Sequence, residues 1–333
     1  MNYTTKIITT KQAFQDLENE WQKLLELSAT NQIFQTHAFL FSWWQEFHPE
    51  KLCIITLRDA ENRLVAVAPL FSEETSEGVT MRLLGCINVS DYLDSLVQKQ
   101  LQDELYPILL ESLAGLTWRS LKWCSLPEES ASRVWLKQFF VSERVVETQQ
   151  DVCPQIILPK TWEIYLSELN RKQRHEIRRK TRRLQEREHR FEEIKNPTQQ
   201  DIDDFIYLHK QSSQNKRDFW DNVHLGFFRQ LLPEIGKKDW LRLYFLRVEN
   251  ERAATMLIFD YNNQFLLYNS GFYLDKYREL SVGSLLVTYT IKQAIAQKRQ
   301  IYDFLRGDES YKFRYTKTSK PIFDVCVTRA AAN

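Results

Sequence analysis

FLLYNSGFYLDKYRELSVGSLLVTYTIKQAIAQKRQIYDFLRGDESYKFRYT, residues 265–316, is the stretch whose reading decides the fold. It opens as a buried strand that ends near Gly271. A charged loop, 275–279, leads into Ser281-Val282-Gly283-Ser284, where helical spacing begins and runs to residue 297. A short strand over 301–304 follows and should lie beside the one ending at 272. Behind it comes a turn crowded with polar groups, Arg306-Gly307-Asp308-Glu309-Ser310-Tyr311-Lys312. Free N–H groups and the helix dipole at a start such as 281–284 suit a phosphate. Ser281 reads as an N-cap and Gly283 as a point where a ligand nears the backbone; a plain cap and a packing contact explain the same two residues equally well.

Working backwards, residues 241–272 read as three strands joined by tight turns, with a helix after them. Residues 53–84 read the same way, and even the first turns agree in kind, Glu61-Asn62-Arg63 against Glu249-Asn250-Glu251-Arg252. A meander that feeds a helix and then another strand is an α+β (α/β) unit rather than a doubly wound one. The expectation is a duplicated chain of two mixed-sheet halves with flanking helices, 1–159 and 160–333, with a cleft between them as a ligand site. Ahead of the first meander, Thr9 or Thr10 caps a helix with Phe14, Leu17, Trp21, Leu24 and Leu25 on one face. The second half opens on one long helix, 162–189.

Composition narrows the function. The 333 residues hold 45 Lys+Arg against 44 Asp+Glu, so a dedicated nucleic-acid binder is disfavoured. Eight glycines and no Walker loop, H-E-x-x-H or G-x-S-x-G argue against P-loop, zinc-protease and serine-hydrolase chemistry, and no metal is expected. The five cysteines sit in apolar segments without C-x-x-C spacing and read as buried thiols of a reduced compartment. Neither a signal-type apolar core at the N-terminus nor an 18-residue apolar window is present, so the expected location is the cytoplasm. The even charge balance conceals one asymmetry: residues 171–190 carry ten Lys/Arg and three Glu. Such a run is ordinarily a solvated face, but an imbalance of this size also suits an anionic partner.

The chain resembles the GNAT-related acetyltransferase family of the CelD (cellulose biosynthesis) type, akin to the Fem aminoacyltransferases. The matching residues are Trp43-Trp44 with Phe47, Ser90-Asp91-Tyr92 with Asp94, the basic run 174–183, Ser281-Val282-Gly283, and Asp303-Phe304-Leu305-Arg306-Gly307-Asp308-Glu309 with Tyr311-Lys312. The resemblance implies a tandem GNAT-like fold and an acyl-CoA or aminoacyl donor. One departure is that the usual pyrophosphate loop, Gln/Arg-x-x-Gly-x-Gly/Ala, is reduced here to Arg278 followed by a single Gly283 at altered spacing.

Direct acyl transfer needs a base, donors for the oxyanion and an acid for the leaving thiolate. The resemblance implies that Tyr311 takes the acid position; Lys312 is the candidate to neutralise a phosphate or the oxyanion, and Asp94, facing the cleft, and Asp303 are the candidate bases. Arg278, Ser281, Val282, Gly283 and Ser284 hold the donor. Trp44, Asp91, Tyr92, Arg174, Arg178, His209, Arg217, Tyr268, Arg306 and Asp308 line the acceptor side. Structural readings compete with these: Asp303 with Arg306 and Asp308 with Lys312 as a salt-bridge network, Asp94 as a turn former, His209 as a core residue. The function implied is an acyl-CoA-dependent N- or O-acyltransferase acting on a sugar or polysaccharide precursor or a small amine. A tRNA-dependent Fem-like transferase and a non-catalytic subunit of envelope polysaccharide assembly are the alternatives.

Overall fold

The computed structural model describes residues 2–49, 51–86 and 89–330. The chain divides into two compact units, one formed by residues 1–151 with 320–333 and the other by residues 152–319.

The first unit begins with strand β1 (Thr4–Ile8) and helices α1 (Lys11–Gln15), α2 (Glu18–Leu27) and α3 (His37–Phe47). Thr10 caps α1, its hydroxyl accepting from the Ala13 N–H. The face read from the sequence is the face that is buried: Phe14, Leu17, Trp21, Leu24 and Leu25 are each less than 5% exposed. The meander follows as β2 (Lys51–Arg58), β3 (Leu64–Thr75) and β4 (Gly78–Leu83), antiparallel throughout. The short β5 (Leu96–Val97), helix α4 (Gln102–Ala114), β6 (Ser120–Pro127), helix α5 (Ala131–Phe139) and β7 (Arg144–Ile157) complete this run. β1 pairs with β2, and β6 returns parallel to β4.

The second unit repeats that plan. After helices α6 (Trp162–Glu168) and α7 (Arg171–Gln185) come β8 (His189–Ile194), α8 (Gln199–Gln211), α9 (Gln214–Asp218) and α10 (Asn222–Lys237). The meander β9 (Leu241–Val248), β10 (Glu251–Tyr261) and β11 (Gln264–Phe272) leads to α11 (Val282–Ala296), β12 (Ile301–Asp303) and the last strand, β13 (Thr318–Thr328). β8 pairs with β9, and β12 returns parallel to β11, the counterparts of β1 on β2 and β6 on β4. Each unit is closed by a strand from elsewhere in the sequence: β13 lies antiparallel to β6, and the end of β7 lies antiparallel to β12. Both units are therefore mixed sheets with flanking helices, as the duplicated pattern implies. In the second unit α11 packs on the sheet through Leu286, Ile291 and Ala294, all fully buried.

Three expectations need correction. The long helix at 162–189 is two helices: Leu169 is extended, and Asn170 caps α7 through its side chain, so the backbone breaks between them. Ser281 does not cap α11 with its side chain, because its backbone is left-handed (φ 57°). Cys86 and Cys124 are joined in a disulfide, with Cα atoms 5.9 Å apart, while Cys53, Cys153 and Cys326 are free. That pairing brings together residues from β4's exit and β6, a proximity invisible at a separation of 38 residues. Among the described residues no helix is long and apolar enough to cross a membrane.

Candidate functional site

The register of β11 with β12 creates an opening. Only Gln264, Phe265 and Leu266 face partners on β12, at Ile301, Tyr302 and Asp303. β11 continues to Phe272, but the chain beyond β12 turns away: Leu305 adopts φ 57° and Gly307 φ 118°. Phe304 and Gly307 instead donate their N–H groups to the carbonyls of Pro154 and Val152. The two parallel strands splay, and the far half of β11 is left unpaired on that edge by β12.

Polar groups border this opening from three sides. At the head of α11 the N–H groups of Val282, Gly283 and Ser284 have no acceptor among the described residues, since Ser281 supplies none. Three orphan donors at a helix start, with the dipole behind them, form an anion site. Gly283 packs against Phe272; a Cβ there would come within 2.9 Å of the ring. Beside this turn a cavity of about 460 Å³ is lined by Ser284, Leu285 and Thr288 of α11 and by Lys172, Lys180 and Arg314. Burial holds the Lys180 ammonium below its usual range, the Glu176 carboxylate in the same lining opposing it and the Arg314 charge adding to it. Arg278 lies exposed on the loop before α11.

Tyr311 stands on the turn after β12, packed edge-on to Phe304. Its hydroxyl has no hydrogen-bond partner among the described residues. Burial, with the charge of Glu309 next, raises this phenol well above its ordinary value, so it stays protonated at any physiological pH. Lys312, expected to meet a phosphate or oxyanion, is 3% exposed and spends its ammonium within the turn. It donates to the carbonyls of Leu305 (3.0 Å), Arg306 (2.7 Å) and Gly307 (3.2 Å) and pairs with Glu309 at 2.8 Å. Asp308 is exposed, so the expected Asp308–Lys312 pair is replaced by Glu309–Lys312. Asp303 is 1% exposed and likewise engaged: it accepts from the Gln155 amide at 2.7 Å and the Leu305 N–H at 2.7 Å, which pins the left-handed turn.

Lys216 was not singled out by the sequence. It sits on the short α9, and its ammonium reaches across to Ser270 on the unpaired half of β11, donating to that carbonyl. Burial pushes its pKa down to about 8, with Glu309 pulling the other way. Beneath it, His209 is fixed at both ring nitrogens. The Trp220 indole donates to Nδ1 (2.9 Å), which leaves Nε2 to donate to the Asn269 carbonyl oxygen (3.0 Å). Burial, and then the charge of Lys216, pushes His209 down to about 3. It is a neutral buried anchor, as its core reading had it. Tyr268 is sandwiched nearby between Phe228 and Phe259.

The other candidate residues are engaged within the fold or exposed. Arg174 caps the end of α6, donating to the Ser167 and Leu169 carbonyls. Arg178 is exposed on α7 and Arg217 exposed on α9, where it contacts Gln214. In the first unit, Asp94 is 3% exposed and accepts from Ser132 (2.5 Å), the Ser95 N–H (2.8 Å) and Thr30 (3.2 Å). It organises the loop in which Asp91 and Tyr92 are also buried, Tyr92 against Phe34. Trp44 packs on Phe14 and Phe41. No cluster of three His, Cys, Asp or Glu that could hold a metal occurs among the described residues.

A strand meander, splayed parallel strands and an uncapped helix start between them invite comparison with known proteins. Residues 171–313 match the acetyltransferase (GNAT) domain family. The second half of the chain thus carries a GNAT acetyltransferase domain, which supports a GNAT-type transferase. No curated protein matches it. Solved structures share its architecture end to end. FemX aligns at a TM-score of 0.65 and 10% identity over 97% of each chain. L-PGS from Bacillus licheniformis aligns at 0.56 and 9%, over 95% of this chain and 92% of that one. A tandem GNAT protein from the clavulanic acid biosynthesis pathway aligns at 0.53 and 10%, over 99% and 100%. At these identities the likeness is one of fold: two GNAT-like units in tandem.

Proposed function

We propose that the protein is an acyl-CoA-dependent N- or O-acyltransferase with its donor site in the second unit. The observation that carries this reading is the conjunction at the β11–β12 opening. The uncapped start of α11 offers N–H groups to a diphosphate, and a protonated, unpartnered phenol, Tyr311, stands on the turn just beyond β12. The cations Lys180 and Arg314 beside Ser284 extend the anion site outward. The missing second glycine of the usual loop is compensated by the left-handed Ser281, which frees the same donors.

In this reading Ser284 and its neighbours hold the donor's phosphates, and the unpaired edge of β11 receives its amide-bearing arm. Tyr311 gives a proton to the departing thiolate. The base is Lys216 rather than Asp303 or Asp94, whose carboxylates are already committed to hydrogen bonds inside the fold. An amine with a pKa of about 8 is partly neutral at working pH and so can take a proton from an attacking amine or hydroxyl. The acceptor class follows the CelD-type resemblance: a sugar, a polysaccharide precursor or a small amine. A second reading, with an aminoacyl-tRNA as donor, draws on the unpaired cations of α7 and the Fem-like architecture. It predicts binding that weakens steeply with salt.

Thiol release from acetyl-CoA, screened over amino sugars, hexoses and short amines, tests the proposal. Turnover with at least one acceptor is expected, with Tyr311→Phe lowering kcat about 100-fold, the lower range for loss of a general acid. No release with any acceptor, or a Tyr311→Phe protein as fast as the wild type, would refute it.

A further inference from the structure

A second cavity, of about 790 Å³, runs along the other side of the α7–α11 contact. It arises because α7 is anchored thinly: Leu184 is its one buried residue, and Ile177, Leu285 and Thr288 line both cavities. The floor is apolar and aromatic, made by Trp162, Leu166, Leu184 and the stacked pair Phe191–Tyr289, whose rings lie 3.9 Å apart. The walls carry His175, Arg178, Arg182, His189 and Lys292. No Asp or Glu lines it. Arg178, Arg182 and Lys292 make no hydrogen bond or ion pair among the described residues. Glu193, the carboxylate whose charge reaches Tyr289, is already engaged by Tyr244 and Arg242.

We propose that this groove binds a phosphorylated amphiphile, a molecule with a phosphate head and a long hydrocarbon body. Three cations held together without a counter-charge repel one another, and an anion relieves that repulsion. A purely polar anion would leave the aromatic floor in water. A hydrocarbon without charge would leave the cations unmatched. One ligand that carries both parts satisfies both surfaces, and the cavity lies in the size range of small-molecule sites. Lipid-borne and free alkyl phosphates share this chemistry. For a role in catalysis, as the carrier that presents an acceptor, the inference rests on the proposed transferase reading. For its existence the site does not, because binding is read without turnover.

Calorimetry on the full chain with dodecyl phosphate, kept below its micelle concentration, is the test. Wild-type protein should bind it with micromolar affinity. Inorganic phosphate and dodecyl maltoside, each half of the ligand's character, should bind at least about tenfold more weakly. The double variant R182Q/K292Q should lose at least about tenfold in affinity, the lower bound for removing charge-assisted hydrogen bonds. Gln293→Trp, which fills the groove from α11 and touches no cation, should weaken binding as well, with both variants keeping the wild-type thermal midpoint. Saturating coenzyme A should not displace it, since the donor's proposed phosphates lie at the α11 start, beyond the Ile177 and Leu285 side of the groove. Vesicles of phosphatidic acid against phosphatidylcholine then separate a lipid source from a free alkyl phosphate. The proposal is overturned if dodecyl phosphate does not bind, if it binds both variants as it binds the wild type, if phosphate alone binds as tightly, or if coenzyme A displaces it.

Discussion

Tyr311, Lys216 and Asp94 show how far a single side chain's surroundings set its part. Tyr311, the proposed acid, was singled out by its place just past the returning strand, and burial without a partner keeps its proton on. Lys216 was not legible: it is one lysine in a polar stretch, and its value lies in the carbonyl of Ser270 and the carboxylate of Glu309, 54 and 93 residues further on. If Lys216 is the base, kcat/KM rises with pH through about 8, and Lys216→Met abolishes that limb; an unchanged profile in the variant would assign the base elsewhere. Asp94 gives a stability prediction. Its folded pKa is raised to about 6 by burial, against an ordinary 3.8, so between those values the folded chain holds more protons than the unfolded one. Stability from this group is therefore present below the ordinary value and falls as pH rises through about 6, by about 3 kcal/mol in all. Urea midpoints between pH 4 and 7 should carry this falling component in the wild type and lack it in Asp94→Asn.

Elements were easier to read than sites. Periodicity located both meanders and α11, because each buries a continuous apolar face in its own unit. It failed at α6–α7, where the apolar residues Tyr165, Leu169, Ile177 and Leu184 keep helical spacing across Asn170 although the backbone breaks; Arg174 reaches back to cap α6, a contact no pattern announces. It also missed that Lys312 and Asp303 face inward, since polar residues in a turn are ordinarily read as solvated. Gly271 shows an element-level constraint. α8 crosses β11 so closely that a Cβ at 271 would lie 2.4 Å from the His209 backbone nitrogen. Gly271→Ala should cost about 3 kcal/mol, at the upper end for overpacking, and lower the thermal midpoint; a midpoint within about 1 °C of the wild type would mean that α8 is free to retreat.

At the scale of the whole chain, duplication is the organising fact. The order β1-β2-β3-β4-β6 in the first unit is the order β8-β9-β10-β11-β12 in the second, with the same parallel return in each. The sequence showed this through matched turns and strand lengths. It did not show that each sheet is completed by a strand from a distant part of the chain, because such pairings have no local signal. Nor did it show the disulfide. The two units differ in their polar groups: the loop of the first, around Asp94, is closed by hydrogen bonds, whereas the second leaves helix N–H groups and a phenol unspent. The proposed function stands or falls on an acyl-CoA at the start of α11. Calorimetry of acetyl-CoA with wild-type protein and Ser284→Glu tests it most directly, because a glutamate in the first turn suits the helix but fills and repels at the phosphate position. Micromolar binding by the wild type, weakened at least about tenfold in a variant of equal or higher thermal midpoint, is the expected result. Equal binding by both proteins, or none by the wild type, would contradict it.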